Sequence, residues 1–196
     1  ILNRLKIADP VQYKKDLPHF VSEGDWNNNF KKLLLADDYY VYYYSPESGV
    51  VSNRLKLPSG VTSIKVNSKE FDVLMGLTNG QLFIYSQDLS TVKQNLTLSK
   101  APLTSIEVDP LDHYAYVGDD DGFLYTVDLL KNKVINTQEL HKGAVSVGII
   151  DDLTNTKRYI VTSGNDKRIL ISDVSDLEPN YKRIVTKLVE SRKNQF

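Results

Sequence analysis

The chain has 196 residues, with Lys+Arg 24 against Asp+Glu 25 for a formal net charge of -1, no cysteine and 41% hydrophobic residues. That length holds one domain with a sizeable core or part of a larger one, and the missing cysteine excludes disulfides, Cys-ligated zinc, iron–sulfur clusters and thiol nucleophiles. A near-neutral chain is not built as a whole to neutralise phosphates or coat an anionic membrane; apolar runs such as VSVGII (Val145 to Ile150) fall far short of the ~20 residues that span a bilayer, so no membrane insertion is expected.

In chain order, residues 1–29 read as a lead-in, either a short helix or an incomplete blade. Ile1, Leu2, Leu5 and Ile7 precede an Asp9-Pro10 break, which predicts a short helix or strand followed by a second short helix. Trp26, the one tryptophan, is expected to pack this segment against the domain that follows. No charged-then-apolar leader opens the chain, and a start at Ile1 rather than methionine reads as a segment of a longer protein.

From residue 30 the chain repeats. The stretches DYYVYYYS (Asp38 to Ser45), NGQLFIYS (Asn79 to Ser86), DGFLYTVD (Asp121 to Asp128) and DKRILISD (Asp166 to Asp173) align, and their second residues, Tyr39, Gly80, Gly122 and Lys167, are 41, 42 and 45 positions apart. Each is a turn pair leading into an apolar run rich in aromatic and branched residues, although Tyr39 replaces a turn former in the first. Each follows another apolar run, KLLLA, FDVLMGL, HYAYVG or RYIVTSG, so the unit contains a hairpin.

Two more strands complete it. VTSIKV, LTSIEV and AVSVGII precede the hairpins, while VVSNRLKL, VKQNLTL, KVINTQEL and YKRIVTKL follow them. Four strands in roughly 42 residues predict an all-β fold, a β-propeller built of four-stranded antiparallel blades. The blades fall at 30–57, 58–98, 99–140 and 141–188, leaving a polar basic tail at 189–196.

The triplet Asp119-Asp120-Asp121 before Gly122 is the most metal-like feature. It occupies the turn between the second and third strands of a blade, where Asn79-Gly80 and Asp166-Lys167 stand in its sisters. There Asp and Asn accept local backbone bonds, and Gly122 supplies the positive φ of a tight hairpin. A calcium loop would need a ligand where Val117 stands. The triplet therefore reads as structural.

Acidic turns, strands closing on an aspartate and leucine-ended fourth strands resemble the WD-repeat (WD40-like) β-propeller family, in divergent form, over about residues 30–188. The fourth blade fits best: His141 lies four residues before Val145 and is followed by the turn aspartate Asp166 and the strand-end Asp173. The resemblance implies that His141, Asp166 and Asp173, with Gly80 and Gly122 at the turns, hold the blades together, the histidine and turn aspartate in a buried hydrogen-bond network. The Trp-Asp dipeptide of the family is replaced by Tyr44-Ser45, Tyr85-Ser86, Val127-Asp128 and Ser172-Asp173. Four blades suggest part of a larger ring.

The run YYVYYY (Tyr39 to Tyr44) would suit base or sugar stacking, but strands covered on both faces select the same residues, and core packing is the simpler reading. His19, His113 and His141 lack zinc spacings. No nucleophile elbow or phosphate loop occurs. Catalysis, a cofactor and a metal have no positive signal. Asn95-Leu96-Thr97 and Ser45-Pro46 read as a chance sequon and an ordinary turn.

A non-enzymatic scaffold for protein–protein contacts within a larger complex, nuclear or cytoplasmic and eukaryotic, is the leading expectation. The resemblance places its partner-binding rim at Asp37, Asp38, Thr78, Asn79, Asp119, Asp120, Asn165, Lys167 and Arg168, with Ser59, Lys100 and Lys142, acidic or neutral in the first blades and basic in the fourth. Further basic residues there, Lys157, Arg158, Lys182, Arg183, Lys187, Arg192 and Lys193, support an alternative, an RNA-associated subunit of a ribosome-biogenesis or RNA-processing particle. The lead-in with Trp26 also loosely resembles an F-box tail, which would make the propeller the substrate receptor of an F-box-type ubiquitin ligase.

Overall fold

The structure, a computed structural model, describes residues 21–67, 72–109, 113–152 and 157–174, together with the strand at 186–190. Among these residues the chain forms only strands and turns. Blade one contains β1 (Glu23–Asn27), β2 (Lys32–Asp37), β3 (Tyr40–Ser45) and β4 (Val50–Lys56). Blade two contains β5 (Val61–Asn67), β6 (Asp72–Leu77), β7 (Gln81–Ser86) and β8 (Val92–Thr97). β9 (Leu103–Val108), β10 (Tyr114–Asp119), β11 (Phe123–Asp128) and β12 (Lys133–Glu139) make blade three. β13 (Val145–Asp152), β14 (Lys157–Gly164), β15 (Arg168–Asp173) and β16 (Thr186–Glu190) make blade four.

Every blade is an antiparallel meander with its strands in chain order. The first strands line up side by side, β1 against β5, β5 against β9 and β9 against β13, and no comparable packing joins β13 back to β1. In blades two and three the middle strands lie between neighbouring blades, so both of their faces are covered and they read as continuous apolar runs, such as VLMGL in β6, rather than as alternating ones. The fourth strands form the outer edge, and β4, β8 and β12 are largely exposed.

Three apolar layers fill the seams. Val41 and Tyr43 meet Ile64, Met75 and Phe83 between blades one and two. Leu74, Leu82 and Ile84 meet Ile106 and Val117 between blades two and three. Tyr116 and Leu124 meet Val147 and Ile160 between blades three and four.

Two placements correct the sequence reading. Blade one starts at Glu23, inside the stretch 1–29 taken as lead-in, because β1 pairs with β2 from Glu23↔Ala36 to Asn27↔Lys32. Trp26 is accordingly part of the innermost strand and is exposed, its indole N–H donating to Asn28 Oδ1 at 3.0 Å, not a plug between a lead-in and the first blade. The short elements expected before residue 20 lie outside the described residues, as does the expected tail at 189–196 from residue 191 onward; residues 189 and 190 belong to β16.

The turns between second and third strands join the blades. Gly80 and Gly122 have φ of 77° and 103°, and the linker to the next blade runs directly over them. Leu98 and Ser99 donate their N–H groups to Gly80 O at 3.0 and 3.3 Å, and Leu140 and His141 donate theirs to Gly122 O at 3.0 and 3.1 Å. A Cβ on Gly80 would stand 2.1 Å from Ser99 O, and one on Gly122 2.0 Å from His141 O. Glycine is required there for both conformation and space. Lys167, the fourth member of the series, also has a left-handed φ of 63° yet carries a side chain.

Replacement of the two kinds of turn residue is expected to separate these demands. Gly122→Ala should cost about 2–4 kcal/mol, since it adds backbone collision to strain, whereas Lys167→Gly should stay within about 1 kcal/mol of the parent. Urea denaturation of both variants measures the difference.

Candidate interaction rim

The hairpin turns between second and third strands and the linkers between blades meet on one side of the ring because the backbone ties them together. Val61 N donates to Asp38 O, Thr78 N to Gly60 O at 2.8 Å and Asp120 N to Pro102 O at 2.9 Å. The Ser59 and Thr78 hydroxyls are hydrogen-bonded to each other. A loop held this way presents its outward side chains on a fixed frame.

Asp38, Thr78, Asn79, Asp120, Asn165, Lys167 and Arg168 are exposed there, as are Lys100 and Lys142 on the linkers, with Ser59 half-buried. Tyr39 and Asp121, which the sequence reading did not assign to the rim, are exposed beside them. Two assigned residues do not belong. Asp37 is 3% exposed and Asp119 0% exposed, so neither presents a carboxylate to a partner.

Asp119 instead centres a buried node. Its Oδ1 accepts the N–H groups of Asp121 at 3.1 Å and Phe123 at 2.8 Å. Its Oδ2 accepts the Ser99 hydroxyl at 2.7 Å and the Tyr125 hydroxyl at 2.9 Å. A buried carboxylate with four donors is satisfied and stays as part of the frame.

Blade four solves the same problem with other residues. His141 is buried, with Nδ1 3.0 Å from Asp166 Oδ1 and Nε2 2.9 Å from the Thr162 hydroxyl. Lys142 N and Arg168 N donate to Asp166 at 3.3 and 3.1 Å. Partial burial works against ionisation of Asp166, but the hydrogen bond from His141 and those backbone donors outweigh it and hold its carboxyl below the ordinary carboxylate range. Asp173 stands at the other end of β15, opposite Tyr159, away from that network. Ser99 and Thr162 were missed as network members, although Ser99 lies 42 positions before His141 and the period alone makes them equivalent.

The opposite side of the ring has its own ties. Tyr43 OH accepts from Asn27 Nδ2 at 2.8 Å and donates to Gln87 O at 2.6 Å across the first seam. Burial, chiefly, pushes its hydroxyl up to about 12. The tyrosine run is therefore core from Val41 to Tyr44, while Tyr39 points out. Across the third seam, Arg158 donates to the buried Asp109 Oδ2 at 2.9 Å, so this cation of the expected basic face is engaged within the frame. Asp88, in the turn after β7, accepts from the Ser86 and Ser90 hydroxyls, which hold it down to about 2.

Among the described residues, no cluster of three or more His, Asp or Glu is placed to hold a metal ion, and no helix is long and apolar enough to cross a membrane.

No family model matches the chain. The WD40 repeat-containing protein smu1 of Dictyostelium discoideum is 26% identical over 107 residues, covering 54% of this chain and 20% of that protein. In the crystal structure of the mitotic checkpoint complex, one chain superposes with a TM-score of 0.68 at 22% identity, over 91% of this chain and 57% of that one. The structure of U3-55K gives 0.69 at 14% identity over 80% and 50%, and the computationally designed Ika4 protein 0.67 at 13% over 80% and 92%. These likenesses and the four antiparallel sheets define the class: the chain has a WD40-like β-propeller fold, divergent in sequence. It spans about a fifth of the curated relative and 57% of the checkpoint-complex chain.

The acidic turn offers a direct contrast. Asp119→Ala, which strands the Ser99 and Tyr125 hydroxyls and two N–H groups, should cost about 2–4 kcal/mol, and Asp120→Ala should remain within about 0.5 kcal/mol of the parent. Equilibrium denaturation at neutral pH reads both.

A pH series reports the depressed carboxyls. Asp88 and Asp166 ionise more readily in the folded chain than in the unfolded one, so their stabilisation is complete above the ordinary carboxylate pKa of about 4 and disappears as pH falls through their lower folded values. Asp88→Asn should flatten the loss of stability between about pH 4 and pH 2, measured as the urea midpoint at each pH.

Proposed function

We propose that the chain is a non-enzymatic interaction scaffold of a multiprotein assembly and that its partner engages the rim carrying Asp38, Asp120, Asp121, Lys100, Lys142, Lys167 and Arg168. The observation that carries the proposal is the division of labour among the acids. Asp109, Asp119 and Asp166 are tied into the frame, while Asp38, Asp120 and Asp121 face outward on turns held by backbone bonds. Outward charge on a rigid support steers and orients a partner without any chemistry at the site. A chain of the mitotic checkpoint complex shares the fold, which is in keeping with a role inside an assembly. Catalysis plays no part in this reading.

A second reading, RNA association through blade four, is favoured by the exposed Lys142, Lys167 and Arg168. The two differ in salt response, because each phosphate contact on a single strand adds a slope of about −0.7 in log K against log salt.

Purification of the intact natural protein from its own cell, with and without nuclease, tests the assignment. Protein partners are expected to survive nuclease, and Asp120→Lys with Asp121→Lys should reduce their recovery several-fold while Asp88→Lys, on the opposite rim, leaves it unchanged. Loss of all partners on nuclease treatment would replace this reading with the RNA one, and recovery unaffected by the double reversal would refute the rim.

A further inference from the structure

In the first three blades, the first residue of the third strand pairs with the fourth strand, as Tyr40↔Lys56, Gln81↔Thr97 and Phe123↔Glu139. Two residues earlier on those fourth strands stand Arg54, Asn95 and Thr137. Blade one has a cation at both fourth-strand positions and its two sisters have none, so the repeat itself does not call for them.

Local geometry aims both cations at one ring. The ladder between β3 and β4 shifts between Val41↔Leu55 and Tyr43↔Ser52, which leaves Asn53 and Arg54 together opposite Tyr42. In blades two and three the shift lies elsewhere on the third strand, between Ile84 and Tyr85 and between Thr126 and Val127. Asn53 takes a left-handed φ of 52° at this bulge, and its Nδ2 donates to Asp88 O of blade two at 2.9 Å. The Arg54 guanidinium carbon then lies 3.9 Å from the centroid of the Tyr40 ring, and Lys56 Nζ 5.9 Å from it. Both cationic side chains are exposed.

Their charge is unmet. Of the three arginines among the described residues, Arg158 faces Asp109 and Arg168 faces Asp166, whereas Arg54 lies against a ring. No carboxylate among the described residues forms an ion pair with Arg54 or Lys56; Asp37, opposite Tyr40 at the end of β2, is buried and pairs with neither. Two cations gathered on one ring repel each other until an anion neutralises them. Burial, and then the Asp37 charge, raise the pKa of the Tyr42 hydroxyl while the Arg54 charge lowers it, and that hydroxyl has no hydrogen-bond partner, so an unmet donor lies near the guanidinium.

We infer that Arg54 and Lys56, positioned by Tyr40, bind a phosphate monoester dianion carried on a phosphorylated side chain of a partner protein. Stacking uses the flat face of the guanidinium and leaves its N–H fork free to take two phosphate oxygens side by side, while the ammonium adds a point charge. A dianion matches two cations. RNA and anionic membranes match less well, because a polyanion or a charged surface calls for a longer basic track, and the residues next along this blade are the acids Asp37 and Asp38. The site lies on the outer strand and shares no residue with the rim, so either reading can fail while the other stands.

Chemical footprinting of the intact natural protein tests this. Modification of Arg54 by phenylglyoxal and acetylation of Lys56 are quantified by mass spectrometry in the presence of O-phosphoserine or of serine at millimolar concentration. Phosphoserine should slow both reactions about fivefold or more, relative to serine, and leave Lys133, exposed on the outer strand β12, unchanged. Lys56 should lose that protection in Arg54→Gln, a change at an exposed position that leaves the fold intact, and Arg54 should lose most of its own in Tyr40→Leu. In extract from the protein's own cell, an amine-reactive cross-linker should join Lys56 to a phosphorylated peptide of another protein, and prior phosphatase treatment should abolish that product. Equal modification in phosphoserine and serine would overturn the inference. So would a cross-link that survives phosphatase, the absence of any cross-link, or stronger protection by a single-stranded oligonucleotide than by phosphoserine, which would assign the site to RNA. If Tyr40→Leu does not fold, Arg54→Gln decides the matter.

Discussion

The linker between blades carries the constraint on which the rest depends. A four-stranded sheet of six-residue strands has two apolar faces and buries neither alone; it is stable only between neighbours. Each linker therefore bonds in both directions at once. The Ser99 and His141 backbones donate to a glycine carbonyl of the blade they leave, and their side chains reach a carboxylate of the blade they enter. Rotation of one blade against the next would break both sets of bonds and open an apolar seam together.

The three linkers meet that requirement differently. At the fourth blade His141 uses both ring nitrogens, on Asp166 and Thr162. At the third, the shorter Ser99 cannot span that distance, and the carboxylate comes two positions earlier, at Asp119, joined by the Tyr125 hydroxyl. At the second, the equivalent residue is Pro58, which has neither an N–H nor a polar side chain to offer; the preceding Leu57 donates its N–H to Tyr39 O at 2.8 Å and buries its side chain in the first apolar layer. Polar nodes are thus interchangeable with packing, provided every buried donor and acceptor is met. The loss of the Trp-Asp dipeptide belongs with this tolerance, since Tyr85 and Val127 at those positions remain buried in the seams.

The repeat, the strands and the turns were legible because they are local: alternation and turn residues recur at near-constant spacing whatever the blades do to each other. Orientation within a turn was not. The register of β9 against β10 shifts between Gly118 and Asp119, and that irregularity accompanies the inward turn of Asp119 while Asp120 and Asp121 stay out. β1 escaped notice because EGDWN has no strand-like alternation; its place is set by pairing with β2 and by Asp25, whose carboxylate accepts Val66 N at 2.8 Å from the neighbouring inner strand. Arg158 read as surface charge because its partner, Asp109, is 49 residues away.

Those long-range pairings also change what a net charge of -1 means. Carboxylates at 88, 109, 119, 128 and 166 receive their donors inside the frame, and several are held ionised by them, so their charge is met locally. The residues left to face a partner are a separate population, acidic at Asp38, Asp120 and Asp121 and basic at Lys142, Lys167 and Arg168. Near-neutrality of the whole chain is therefore compatible with a rim that changes sign from one blade to the next. At physiological salt a screening length of about 8 Å is shorter than the span of several blades, so a partner would sense these patches one at a time and not as their sum.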